Sequence, residues 1–175
     1  MLGLSFEVIP SSVVEDFIDL PPKELAQKLA LDKAMDVAKK LSGENALIIG
    51  ADTIVVVGDE VLGKPRDDWE AYTMLKKIEG KIHKVITGIA LVDAMDFKYK
   101  TDFQETTVKI KKLDDKKILN YIKTGETNDK AGAYAIQGIG SVIVEEIHGC
   151  YFNVVGLPIS KLSDMLEEWG ISILG

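Results

Sequence analysis

Apolar and polar positions along the chain change their rhythm several times, and each change marks an element. Between Pro21 and Leu41 the residues Leu25, Leu29, Ala30, Ala34, Val37 and Leu41 recur at helical spacing, which predicts an amphipathic helix stopped by Gly43. Residues 46–57, ALIIGADTIVVV, read as a buried strand, or as two short ones broken near Gly50. SFEVIP, near the start, predicts a further short strand. Ala71, Met74, Leu75 and Ile78 predict a helix capped by Asp67 or Asp68 and ended by Gly80. KVITGIALVD and FKYKTDF are β-like, joined by a turn near Ala94–Asp96. Apolar parity shifts between Phe103 and Val108, which one bulged residue would explain. Asp114 opens a short helix with Ile118, Tyr121 and Ile122, closed by Gly125. The glycine-rich DKAGAYAIQGIGS then leads to strand VIVEEI and to a last helix carrying Leu162, Met165, Leu166 and Trp169. Strands and helices are mixed without regular alternation. That predicts an α/β or α+β chain around a mixed, twisted sheet rather than a doubly wound parallel one.

Composition narrows what such a chain does. Its 175 residues, 46% hydrophobic, suffice for one globular domain or two intimate lobes. No apolar run approaches the roughly 20 residues needed to span a membrane, and MLGLSFEVIP lacks the basic and apolar regions of a signal peptide. A single cysteine, Cys150, excludes an internal disulfide and makes a reducing cytoplasm the default. The net charge of −7 argues against gripping a nucleic-acid polymer. A small anionic ligand remains compatible if a few lysines and a metal focus positive charge. With Arg66 the only arginine, a phosphate clamp must use lysines, backbone N–H groups or a cation.

Asp52 stands out because GADTIVVV places a carboxylate inside a buried run. Burying it ionised costs several kcal/mol or more unless it is paired or metal-bound. Two readings stand side by side: a turn acid after a strand break at Gly50, and a metal ligand or general base at a strand end. Lys64, in GKPRD before a helix, reads as a plain turn residue or as part of an anion site at the helix N-terminus. Lys33 falls among Leu29, Ala30 and Val37 on the apolar helix face, where it either snorkels or directs its ammonium inward. Glu15, in EDFID, is on its own an ordinary loop acid, and Gln137, in AIQG, is a turn amide able to read a base edge. The glycines at 132, 138 and 140 do not form a dinucleotide fingerprint, and GxxxxGK[ST] and GxSxG do not occur. His83 and His148 have no partner at metal spacing, and Cys150 has no evident base. Asp, Glu and Lys without a nucleophile point to metal-assisted hydrolysis of a phosphate ester or anhydride.

Four segments in order, GADTIVVV, EVLGKPRD, DKAGAYAIQG and YFNVVGLPIS, together with LALDKA, resemble the Maf family of nucleoside triphosphate pyrophosphatases over nearly the whole chain. The resemblance implies a single Maf-like domain over 1–175. Its fold would be α/β, an elongated mixed twisted sheet flanked by helices with a deep cleft, similar to inosine triphosphate pyrophosphatases. It implies release of pyrophosphate from a nucleoside triphosphate with Mg²⁺ or Mn²⁺, in a cytoplasmic protein, commonly a homodimer, linked to septum formation and to removal of modified nucleotides. By the same resemblance Asp52 is the proton acceptor, and Glu15 and Asp52 hold the cation. Lys33 and Lys64 contact the triphosphate. Thr53 and Gln137 occupy positions that separate subfamilies, Thr53 resembling the dTTP/UTP branch. Asp129 and Lys130 belong to the glycine-rich wall.

The family's Ser-x-Ser-Pro-Arg-Arg loop has no counterpart here. The expectation is therefore a chain shortened at its N-terminus, with an exposed sheet edge and weaker triphosphate affinity. Two functions stay open on the sequence: a metal-dependent nucleotide pyrophosphatase of the dTTP/UTP type, and a catalytically impaired nucleotide-binding or cell-division regulatory protein.

Overall fold

In the computed structural model the described residues are 4–14 and 19–175. The chain runs through α1 (Pro22–Lys40), β1 (Leu47–Val57), β2 (Glu60–Leu62), α2 (Asp68–Ile78), β3 (Ile82–Asp93), β4 (Tyr99–Ile110), α3 (Asp115–Ile122), β5 (Val144–His148), α4 (Tyr151–Val155) and α5 (Ile159–Glu167). Two short 3-10 turns, Ala131–Ala133 and Gly138–Val142, lie between α3 and β5. The strands form one five-stranded sheet in the order β2-β1-β3-β4-β5.

The sheet is antiparallel, where the resemblance implies a mixed one. β1 and β2 join through a tight turn at Gly58, φ +58, and pair antiparallel, as do β4 and β5. Asp93 N–H donates to Lys98 O at the β3–β4 turn, and Ala94 N–H donates to Ala46 O, setting the end of β3 beside the start of β1. Hairpin turns this short permit only antiparallel neighbours, because a parallel one needs a long crossover.

The chain divides into two compact units. The first comprises residues 1–52, 87–104 and 157–175, the second residues 53–86 and 105–156. In the first, α1 covers one face of the sheet and α5 the other. Ala30, Ala34, Val37 and Ala38 of α1 cluster with Ile48, Ala90 and Val92, whereas Leu162, Met165 and Leu166 of α5 cluster with Ile89 and Leu91. Successive residues of β3 thus enter opposite cores, which is why GIALV is buried without alternation. α1 approaches closely because its inward face carries Ala26, Ala30, Ala34 and Ala38, one per turn, and because glycines oppose it. A Cβ at Gly88 would lie 2.1 Å from Ala26 O, and one at Gly50 would lie 2.5 Å from Ala30 O.

In the second unit Val55, Leu62, Val85, Val108 and Ile110 pack against Ala71, Met74, Leu75 and Ile78 of α2 and Ile118, Tyr121 and Ile122 of α3. Both helices start as the sequence predicts: Asp67 accepts from Glu70 N–H and Asp114 from Lys117 N–H.

Local expectations fare unevenly. SFEVIP is not a strand, since no neighbour offers it a ladder among the described residues, and Phe6 and Val8 are 82% and 78% exposed. Of the two readings of residues 46–57 the continuous strand holds: β1 runs through Gly50, whose missing side chain admits α1 instead of breaking the chain. β4 runs on to Ile110, and the irregularity expected after Phe103 lies at Lys109/Ile110, where the register against β5 shifts. The boundary between the two units falls at Gln104/Glu105 within β4, and beyond it Thr106, Val108 and Ile110 alternate as buried positions. YFNVV forms a short helix, α4, that its sequence did not announce.

Candidate active site

In the first unit the site begins with strand parity. Ile48, Gly50 and Asp52 share the face of β1 that meets α1. Helical spacing places Lys33 beside Ala30 and Ala34. The close approach at Gly50 brings the Lys33 ammonium onto Asp52 Oδ1, in a charge-assisted contact. The Asp52 side chain is 6% exposed and that of Lys33 23%. The turn-acid reading of Asp52 therefore falls: it is a strand residue, buried and paired. Lys33 does not simply snorkel, although a quarter of its side chain still reaches solvent. Removing one partner of such a pair strands the other charge.

In the second unit the turn 63–66 and the glycine-rich segment are tied together. Gly132 N–H donates to Gly63 O at 2.9 Å, and Gly132, at φ +68, would crowd Val55 if it bore a side chain. This brings Lys64, Asp129 and Lys130 into one neighbourhood. Lys130 Nζ donates to Asp129 Oδ1 at 2.6 Å. The Asp129 carboxyl is held below its ordinary range by that bond first, with Lys64 adding a smaller pull. Lys64 itself is exposed. Asp67 caps the following helix, α2, by accepting from Glu70 N–H. Arg66 is likewise engaged, its Nε donating to Glu70 Oε2 at 2.9 Å.

Thr53, partly buried, turns its hydroxyl towards Gly156, which at φ +118 closes α4; a Cβ there would lie 3.6 Å from Thr53 Oγ1. α4 is anchored by Asn153, fully buried, whose Nδ2 donates to Val85 O at 3.0 Å and Thr106 Oγ1 at 2.8 Å. Gln137 is exposed at the N-cap of the turn Gly138–Val142 and makes no side-chain cap itself. Glu126 takes that place, accepting from Ile139 N–H at 2.8 Å and Gly140 N–H at 2.9 Å. Glu15 lies outside the described residues.

Sequence reasoning missed Glu126, Thr106 and Asn153. Their hydrogen bonds join segments 13 to 68 residues apart, and no local pattern signals them. The buried His83, with Nε2 2.7 Å from Tyr134 OH, belongs to the second unit's core. Burial lowers its imidazole to about 4.

The donor set suits a hard cation better than zinc. Among the described residues no group of three or more His, Cys, Asp or Glu gathers. A single buried carboxylate is nonetheless enough for Mg²⁺, which takes one or two carboxylates and completes its shell with water and substrate phosphates.

Comparison with known proteins gives a consistent result. A family model described as "Maf-like protein" matches residues 1–169. A "dTTP/UTP pyrophosphatase" of Thermoanaerobacter sp. (strain X514) is 59% identical over 174 residues, covering 99% of this chain and 91% of that protein. Proteins of the same name from Acetivibrio thermocellus and Caldicellulosiruptor saccharolyticus are 50% and 49% identical, covering 99% and 98% of this chain and 89% and 88% of theirs.

Proposed function

This chain belongs to the Maf family, and on that premise we propose that it is a nucleoside triphosphate pyrophosphatase with the dTTP/UTP preference that its relatives' names state. The structural observation that carries the reading is the Lys33–Asp52 pair, a proton acceptor and a phosphate-seeking cation seated together on a rigid helix–strand contact.

In the reaction, Asp52 orients a water and takes its proton as the oxygen attacks the α-phosphorus in line. The bond from the α-phosphorus to the bridging oxygen breaks. Its electron pair leaves with pyrophosphate, and the water oxygen stays on the nucleoside monophosphate. Lys33 meets non-bridging phosphate oxygens as negative charge redistributes, and Lys64 steadies the departing β- and γ-phosphates. Lys130, paired with Asp129, fixes the wall beside Lys64. Thr53 and Gln137 select the nucleoside. A bound Mg²⁺ or Mn²⁺ supplies charge neutralisation and polarisation of the phosphate, with Asp52 as the described carboxylate suited to hold it and Glu15 as the second ligand. The same reading places the enzyme in the cytoplasm, as its single cysteine favours, and as a homodimer.

Pyrophosphate release from dTTP, UTP, CTP and 7-methyl-GTP with Mg²⁺ or Mn²⁺ tests the proposal. Turnover of dTTP and UTP ahead of the others is expected. A folded protein that binds these nucleotides and turns none over would refute it, in favour of a nucleotide-binding regulator.

A further inference from the structure

We propose that Glu126, assisted by Tyr121, is the positioning residue that presents Gln137 and so sets the discrimination between nucleobases. The inference rests on the reading of Gln137 as a nucleoside-selecting residue.

Gln137 sits on a short glycine-rich turn that its own side chain does not cap. The first N–H groups of such a turn need acceptors from elsewhere. Glu126 supplies them from outside the turn, one carboxylate oxygen on Ile139 N–H and the other on Gly140 N–H. Those two amide bonds, the larger first, are also what hold its carboxyl below the ordinary range. The packing leaves no slack. A Cβ on Gly138, at φ +64, would lie 2.5 Å from Glu126 Oε1, and one on Gly140 would lie 2.5 Å from the Tyr121 hydroxyl.

Tyr121 secures the other side of Gln137. Its hydroxyl accepts from Ala135 N–H at 3.0 Å, and it helps to hold the Glu126 carboxyl below its ordinary range. Burial raises this phenol to about 12, so it keeps its proton to donate. Two side chains thus hold three backbone amides, at 135, 139 and 140, on both sides of one exposed residue. A turn rich in glycine would otherwise spread over many conformations. A base-reading amide pays for each of them in lost orientation. Both carboxylate oxygens of Glu126 are committed to backbone amides, so it acts through the orientation of Gln137.

The test is a double-mutant cycle on nucleotide preference. The ratio of kcat/KM for dTTP to that for CTP is measured for the wild type, Glu126→Ala, Gln137→Ala and the double variant. Glu126→Ala is expected to lower the ratio by about tenfold, the scale of one well-aligned hydrogen bond. In the Gln137→Ala background the same change is expected to leave the ratio unaltered. Tyr121→Phe, which keeps the packed ring and removes only the hydroxyl, is expected to shift the ratio in the same direction by less, and it carries the test if Glu126→Ala fails to fold. Glu126→Gln, which retains one acceptor, is expected to restore part of the ratio. A purely structural role would lower turnover of every nucleotide together, leave the ratio fixed, and overturn the inference. A ratio that falls in Gln137→Ala but not in Glu126→Ala or Tyr121→Phe also overturns it, while leaving the reading of Gln137 intact. A ratio unchanged by Gln137→Ala overturns both.

Discussion

Lys33 reaches from α1 to pair with Asp52 on β1, and one pleat away Gly50 has no side chain to hold the two elements apart. The pair explains how a carboxylate can occupy a strand position that is 7% exposed. It also gives the catalytic proposal its sharpest test. Asp52→Asn keeps the shape of the side chain and removes the proton acceptor. It is expected to lower kcat by about 10²-fold or more, measured as pyrophosphate release, with the circular dichroism spectrum unchanged. Full activity in this variant would remove Asp52 from the chemistry.

The closeness of α1 is a separate property that Gly50 and Gly88 control. Gly50→Ala puts a methyl against a backbone carbonyl, which cannot rotate out of the way. A destabilisation of about 1–3 kcal/mol is expected, as for other overpacked cores, together with reduced activity through a displaced Lys33. Urea denaturation checks the first and turnover the second. An undisturbed midpoint would show that α1 can shift freely, contrary to the packing described.

Lys64 is exposed and outside the core, so its loss should spare the fold. Lys64→Ala is expected to lower kcat/KM for a triphosphate by about tenfold or more through lost charge-assisted contacts, with the melting temperature held within a degree or so. Titration of Asp129 followed by NMR gives a structural control. Its pKa should rise in Lys130→Ala and rise less in Lys64→Ala, following the order of the two influences. The reverse order would contradict the ion-pair geometry.

His83 makes stability depend on pH. Its folded-state pKa, about 4, lies below the ordinary 6.5 because burial disfavours the imidazolium. Below pH 6.5 the unfolded chain takes up a proton that the folded chain refuses, so stability falls as pH drops from 6.5 towards 4. Between pH 7 and pH 5 this amounts to about 2 kcal/mol. His83→Phe retains an aromatic beside Tyr134 and is expected to remove that share of the slope in urea titrations at the two pH values. Parallel slopes in the two proteins would show that His83 is not the group responsible.

Much of this protein is legible along the chain because the signals are local. The periods of α1, α2, α3 and α5, the caps at Asp67 and Asp114, and the stops at Gly43, Gly80 and Gly125 depend on residues within a few positions of one another. Asp52 was conspicuous for a similar reason, a charge inside an apolar run. SFEVIP shows the limit, since its alternation suits a strand but a strand also needs a neighbour. At Gly50 the sequence could register an unusual residue, yet a break and a close approach look alike in one dimension.

The sequence by itself therefore determined most of the elements, their polarity and the residue types available for chemistry: an Asp inside an apolar run, a lysine on an apolar helix face, a lysine in a turn and a glutamine among glycines. Only the tertiary structure decided what each meets. It made the Lys33–Asp52 pair by closing α1 onto β1 at a glycine, and placed Glu126 and Tyr121 on either side of Gln137. Periodicity and capping arise from backbone geometry over a turn or a pleat. Pairing depends on packing between segments distant along the chain, whose free energy no single segment contains.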